Sequence, residues 1–394
     1  MKTRGLLFLS LLVLLLALGV FLSAVPTQAA ITQVFWVSQA GGLDTNPCTS
    51  VAPCQTIQPA VDKAIGTLAA TVNVLPGTYP PFTIPITGHL AISATAAIIK
   101  GEPGSAPVIW VNAPSSSPTV TIDGVTVQNG NGTGIVISGT TAAQVLVKNS
   151  VIQNNTGSLG GGIYNNNGSV TIERSLLQNN QATSGGAVYN DSGATTVISQ
   201  TAVLTNTATS AGGGAFNAGM LDMVNSTVSA NSGSGLVNSH TLRLYNATIS
   251  LNTATSGGGG VANSSGTARL ANTILAGNNG PAASPDCSGT LTSGGYNILG
   301  SSAGCTGLTN GVNGDQITNP QLQPLADNGG FSPTQAITTQ SPAYNNGNPT
   351  GCMYGTILLT EDQRGQPRQN GPRCDVGAFE LQAIFPLYLP LVMR

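Results

Sequence analysis

The middle of the chain repeats one apolar/polar alternation. Aligning Val125 to Gly130, Ser150 to Asn155, Ser175 to Asn180, Thr201 to Asn206, Ser226 to Asn231, Ala247 to Asn252 and Thr273 to Asn278 places their last residues 25, 25, 26, 25, 21 and 26 positions apart. Three residues before each end lie Val127, Ile152, Leu177, Val203, Val228, Ile249 and Leu275. Eight residues before it come Ile122, Val147, Ile172, Ile198, Met223, Leu244 and Leu270. Another mostly apolar column stands two residues earlier, so both side chains point to one face of a strand.

Each unit also holds a glycine-rich turn that enters a short apolar strand, as in Gly160 to Asn165, Gly185 to Asn190 and Gly212 to Asn217. Three short strands of this kind cannot bury a face alone, but stacked copies bury a continuous core. The pattern predicts an all-β parallel β-helix with coils about 4.8 Å apart. Asn at like positions suits its turns twice over, by tolerating left-handed backbone and by bonding to the Asn of the next coil.

The Gly-Gly-Gly/Ala-aliphatic-aromatic-Asn units resemble those of right-handed β-helix proteins of the pectin-lyase-like fold, and in particular polymorphic outer-membrane-protein repeats. Val34 to Val37, Cys48 to Cys54, Gln55 to Val61 and Val72 to Tyr79 are similar to the start of such secreted β-helices, which implies that a short helix at about 57–65 caps the open end. Asn319 to Leu322, Pro324 to Gly330, Ser341 to Ala343, Asp362 to Gly365 and Cys374 to Glu380 resemble a bacterial choice-of-anchor Q domain. Where that family carries an aspartate after Ser-Pro-Ala, this chain has Tyr344. The domains implied are a signal peptide at 1–30, an N-terminal cap and first coils at 31–100, repeats at 101–314, a disulfide-stapled module at 315–383 and an apolar tail at 384–394.

Charge narrows the function. Of 394 residues 12 are basic and 14 acidic, about 7% charged, against roughly 25% in ordinary soluble chains. No Lys/Arg stripe exists to neutralise phosphates, which excludes a nucleic-acid partner. Lys2 and Arg4, the apolar run Leu6 to Leu22 and the small residues around Ala29 read as a secretory signal peptide, with an uncleaved anchor as the alternative. Export would oxidise the six cysteines, whose clustering favours Cys48–Cys54, Cys287–Cys305 and Cys352–Cys374. With no CxxC and two histidines, neither a metal site nor a cofactor is implied.

Candidate chemistry is sparse. Asp123, Lys148 and Glu173 share one column and Asp222, Arg243 and Arg269 another, arrangements suited to structural charge ladders rather than a catalytic dyad. No catalytic residue is assigned. Tyr164, Tyr189 and Phe216 also share a column, which offers either a stacking platform for sugars or packing, depending on whether they or Ile163, Val188 and Ala215 face inward. Arg364 and Arg368 lie in the most charged stretch, 361–380, where they would either hold a ligand carboxylate or pair within a polar cap closing the solenoid. The tail from Ile384 suggests a sorting tag. Together these readings give an exported structural or adhesive protein of a bacterial surface, with an extracellular glycan or envelope component as partner. A polysaccharide lyase or glycoside hydrolase is the alternative.

Overall fold

The computed structural model describes residues 32–382, apart from 86–87, 103, 105–106, 115–117 and 369. The proposed signal peptide and the tail from Ile384 lie outside the described residues.

The chain winds as a parallel β-solenoid with three strand-bearing faces. Face A carries the strands Gln33–Val37, Ala69–Val74, Gln144–Lys148, Ser169–Glu173, Thr195–Ser199, Met220–Val224, Thr241–Tyr245 and Thr267–Ala271. Face B carries Val151–Gln153, Leu176–Gln178, Ala202–Leu204, Thr227–Ser229, Thr248–Ser250 and Ile274–Leu275. The long strands His89–Lys100 and Thr119–Gln128 run through both faces, which joins A and B into one 20-stranded sheet. Face C is a 10-stranded sheet that includes Ile109–Ala113, Ile135–Gly139, Ile163–Asn165, Val188–Asn190, Ala215–Asn217, Leu236–Asn238 and Val261–Asn263.

Register follows the repeat. Ile152 pairs with Val127 and Leu177, and Ile172 with Val147 and Ile198. These columns are fully buried and form one core along the axis. Each such side chain contributes roughly 1.5–3 kcal/mol by leaving water. At the first coil the helix Ile57–Ala64 buries Ile57, Ala60, Val61 and Ala64 in that core and packs against Gln33–Val37 and Ala69–Val74. All three cysteine pairs are bonded as the clustering suggests.

The corners are held by side-chain ladders. After face B, Asn155 Nδ2 donates to Asn180 Oδ1 at 3.0 Å, and the chain continues through Asn206, Asn231, Asn252 and Asn278. It ends on the buried Asp286, whose Oδ1 accepts from Asn278 Nδ2 at 3.0 Å. An acceptor-only carboxylate suits the last rung, because no further rung exists to receive an amide hydrogen. The ladder residue itself is not the left-handed one. Its predecessor is, and besides Asn154 and Asn179 this includes Thr205 (φ 54°), Ala230 and Leu251 (φ 58°). A second ladder closes face C through Asn165, Asn190, Asn217, Asn238 and Asn263. The glycines of the B–C turn are needed for closeness as well as for dihedral angle. Gly185 has φ +67°, and a Cβ there would meet the Val188 carbonyl oxygen at 2.4 Å.

The C-terminal module folds back along the flank. Asn225 Nδ2 donates to the Glu361 carbonyl (2.7 Å), Asn246 Nδ2 to that of Met353 (3.1 Å) and Asn272 Nδ2 to that of Asp375 (3.0 Å). Beneath it, Ile274, Ala276 and Ile298 form a second core with Ile337, Ala343, Val376 and Phe379. The cap expected to close the solenoid is therefore a side cover. Ile274, Ala276 and Ile298 project outward from the last coils and would otherwise expose an apolar strip.

Candidate functional site

Face C resolves which of its two apolar columns points inward. Ile163, Val188 and Ala215 are buried, and alternation turns Tyr164, Tyr189 and Phe216 outward, where they are half-buried. Register extends the outward column in both directions, from Thr83, Trp110 and Val136 to Val237, Ala262 and Ser288. Trp110 is 39% exposed, and its indole N–H donates to Ser138 Oγ at 2.7 Å.

Tyr164 and Tyr189 meet edge to face with centroids 5.6 Å apart, whereas Tyr189 and Phe216 stack at 5.0 Å and 10°. That separation is close to the spacing of neighbouring strands, and both rings stay half-buried. Tyr164 Oη donates to Asp191 Oδ2 at 2.9 Å. Burial, then the bond to the Asp191 carboxylate, pushes the Tyr164 hydroxyl up to about 12, and burial and the same carboxylate raise Tyr189. The stripe runs between two hollows. One, of about 190 Å³, is lined by Gln58, Phe82, Thr83 and Trp110. The other, of about 220 Å³, is lined by Ala211, Val237, Thr255, Ser256, Ala262 and Ser288.

The other candidates are committed to structure. Asp123 pairs with Lys148 at 3.3 Å and accepts from Asn149 Nδ2 at 2.8 Å. Glu173 pairs with its neighbour Arg174 at 3.1 Å, although register sets it beside Lys148. Asp222 is 2% exposed, takes two bonds from Arg243 at 2.6 and 2.8 Å and a third from Tyr354 Oη at 2.8 Å. It thereby ties the module to face A.

Arg364 and Arg368 are turned inward and pair within the module, the second of the two alternatives, and neither faces a ligand as a clasp would. Arg368 is fully buried, donates to Asn225 Oδ1 and the Gly377 carbonyl, and pairs with Glu380 at 3.3 Å. Arg364 pairs with Asp362 at 2.7 Å and lies 3.7 Å from the Phe379 ring centroid. Burial lowers the Arg368 guanidinium against the pull of its acidic neighbours; burial also raises Asp375 and, with Asp375 beside it, pushes Glu380 up to about 8. A stretch rich in charge was legible, but its partners Asn225 and Thr227 lie far back in the repeats.

No family model matches this chain, and no curated protein matches it. Among solved structures it is similar to the pectate lyase Pel9A, with a TM-score of 0.56 and 14% identity over 89% of this chain and 96% of that one. The shared feature is the β-solenoid fold alone. A deglycosylated pectin methylesterase from Aspergillus niger (TM-score 0.37, 14% identity, 72% of this chain and 93% of that one) and a rhamnogalacturonan lyase (0.33, 12%, 78% and 96%) are more distant. Among the described residues no group of three His, Cys, Asp or Glu gathers as a metal site would require, and no helix is long and apolar enough to cross a membrane.

Proposed function

We propose that this is an exported, surface-displayed or secreted structural protein that binds extracellular glycan along the outer stripe of face C. The observation that carries the reading is the half-buried column Tyr164, Tyr189 and Phe216, continued by Trp110 along the outside of face C. Aromatic rings with open apolar area next to polar groups suit ligands that are apolar on one side and hydroxylated on the other. Surrounding Ser, Thr and Asn supply hydrogen-bonding partners. Export is supported by the N-terminal segment and by three disulfides, which persist in oxidising compartments. In this reading the module retains its resemblance to the choice-of-anchor Q domain, and the tail is a retention signal.

Catalysis is the weaker reading, because Asp123, Glu173 and Asp222 are each neutralised by a cation. Incubating the purified protein with neutral glycans and polyuronates, while following binding and chain length together, tests it. Binding without shortening supports the proposal. Shortening of either polymer overturns it, whether or not it survives loss of Asp123, Glu173 and Asp222.

A further inference from the structure

The outer stripe of face C is nearly free of charge. Between 129 and 290, the strands of face C and the turns that flank them contain only Asp191, His240 and Asp286 from among Asp, Glu, His, Lys and Arg. Asp286 is buried and spent on the Asn ladder, and His240 lies at the far edge, its Nδ1 within 3.1 Å of Thr241 Oγ1. No Lys or Arg stands on this stretch. The chain's central cations are elsewhere: Lys148, Arg243 and Arg269 sit on face A and Arg174 directly after it, and Lys148, Arg174 and Arg243 are paired with acids there.

The one half-exposed charge beside the rings is Asp191, at the end of the strand that carries Tyr189. Its Oδ2 accepts the Tyr164 hydroxyl and its Oδ1 the Ser192 amide. An extended polyanion laid along the rings would meet no cation and would pass a fixed carboxylate. An uncharged chain of hydroxylated rings would meet aromatic faces, Ser138, Ser264, Ser288 and amide groups.

Resting on the glycan-binding reading above, we infer that face C selects uncharged polysaccharide and discriminates against polyuronates, with Asp191 as the residue that sets this discrimination. The basis is the meeting of an aromatic stripe with a cation-free surface and a single carboxylate hydrogen-bonded to one of its rings. Electrostatic exclusion of this kind weakens as salt screens it, over a Debye length of about 10 Å at 0.1 M.

The test is affinity electrophoresis of the purified full-length protein through gels containing a neutral β-glucan or polygalacturonate, at low and at 0.5 M salt. Wild type, Asp191→Asn and the double variant Tyr164→Ala/Tyr189→Ala are compared. The inference predicts at least tenfold weaker retardation by polygalacturonate at low salt, a gap that narrows at high salt, and a several-fold gain in polygalacturonate binding for Asp191→Asn. Polygalacturonate binding as tight as the neutral glycan, and lost in the double variant, overturns the selectivity but leaves the glycan-binding face standing. Binding that ignores the double variant, or no binding to either polymer, overturns both. A stripe occupied by a second copy of the chain would give a dimer in sedimentation that the double variant dissociates, and this too overturns both.

Discussion

Asn206 stands mid-ladder with no exposed surface. Its Oδ1 accepts from the Asn180 backbone N–H at 2.9 Å and from Asn180 Nδ2 at 3.0 Å, while its Nδ2 donates to the Leu177 carbonyl and to Asn231 Oδ1, both at 3.0 Å. Asn206→Ala leaves the Asn180 backbone N–H and one of its amide hydrogens buried without partners. At about 1–3 kcal/mol for each buried group left unpaired, the loss is about 2–6 kcal/mol. Asn206→Asp keeps the acceptor for Asn180 but turns an oxygen toward two other oxygens. Burial, with a second carboxyl oxygen that faces acceptors and no donor, outweighs the two bonds from Asn180 and raises the folded pKa above the unfolded value. This variant therefore loses stability as pH rises above about 4 and regains it in acid. Urea unfolding followed by circular dichroism measures the loss. Hydrogen exchange at 176–180 and 202–206 locates it, because stacked repeats can open locally. An unchanged urea midpoint and unchanged protection in Asn206→Ala would refute the view that the ladder holds the corner.

Two further predictions concern the module. Burial raises Glu380 from 4.5 to about 8, so the stability it lends is fully present below 4.5 and is lost as pH rises through about 8. Glu380→Gln should therefore flatten the rise in proteolytic susceptibility of 361–368 between pH 6 and 9, and equal slopes in both proteins would contradict this. Tyr354→Phe removes a hydroxyl bonded to the buried Asp222, a bond to a charged group contributing about 1.5–3 kcal/mol. Exchange at 353–358 should quicken while the ladder amides of 176–180 stay protected, and uniform quickening would mean that Tyr354 supports the whole solenoid.

The period of the apolar columns made most of the fold legible. Ile152, Leu177 and Val203 could be stacked from spacing alone, and the observed register places them side by side. Spacing could not decide the facing of Tyr164 against Ile163, since both neighbours are apolar over three coils and only packing selects the smaller aliphatic column for the interior. Nor could it find Thr205 and Leu251 in left-handed conformation, where the ladder on either side overrides local preference. For Arg364 and Arg368 the sequence left a ligand clasp and internal pairing both open, for a related reason. Charge in sequence suggests solvent, yet Arg368 is buried by folding back onto Asn225, 143 positions earlier.

Binding at face C is the claim on which the functional account rests, and the affinity of the triple variant Tyr164→Ala/Tyr189→Ala/Phe216→Ala for a neutral polysaccharide tests it most directly. The replaced side chains point away from the core, so the solenoid should keep its circular dichroism. Three rings at about 1 kcal/mol each make about 3 kcal/mol, a loss of more than a hundredfold in Kd. That loss, in a folded variant, is the predicted result. A folded triple variant that binds as wild type does would place the ligand on another face and contradict the account.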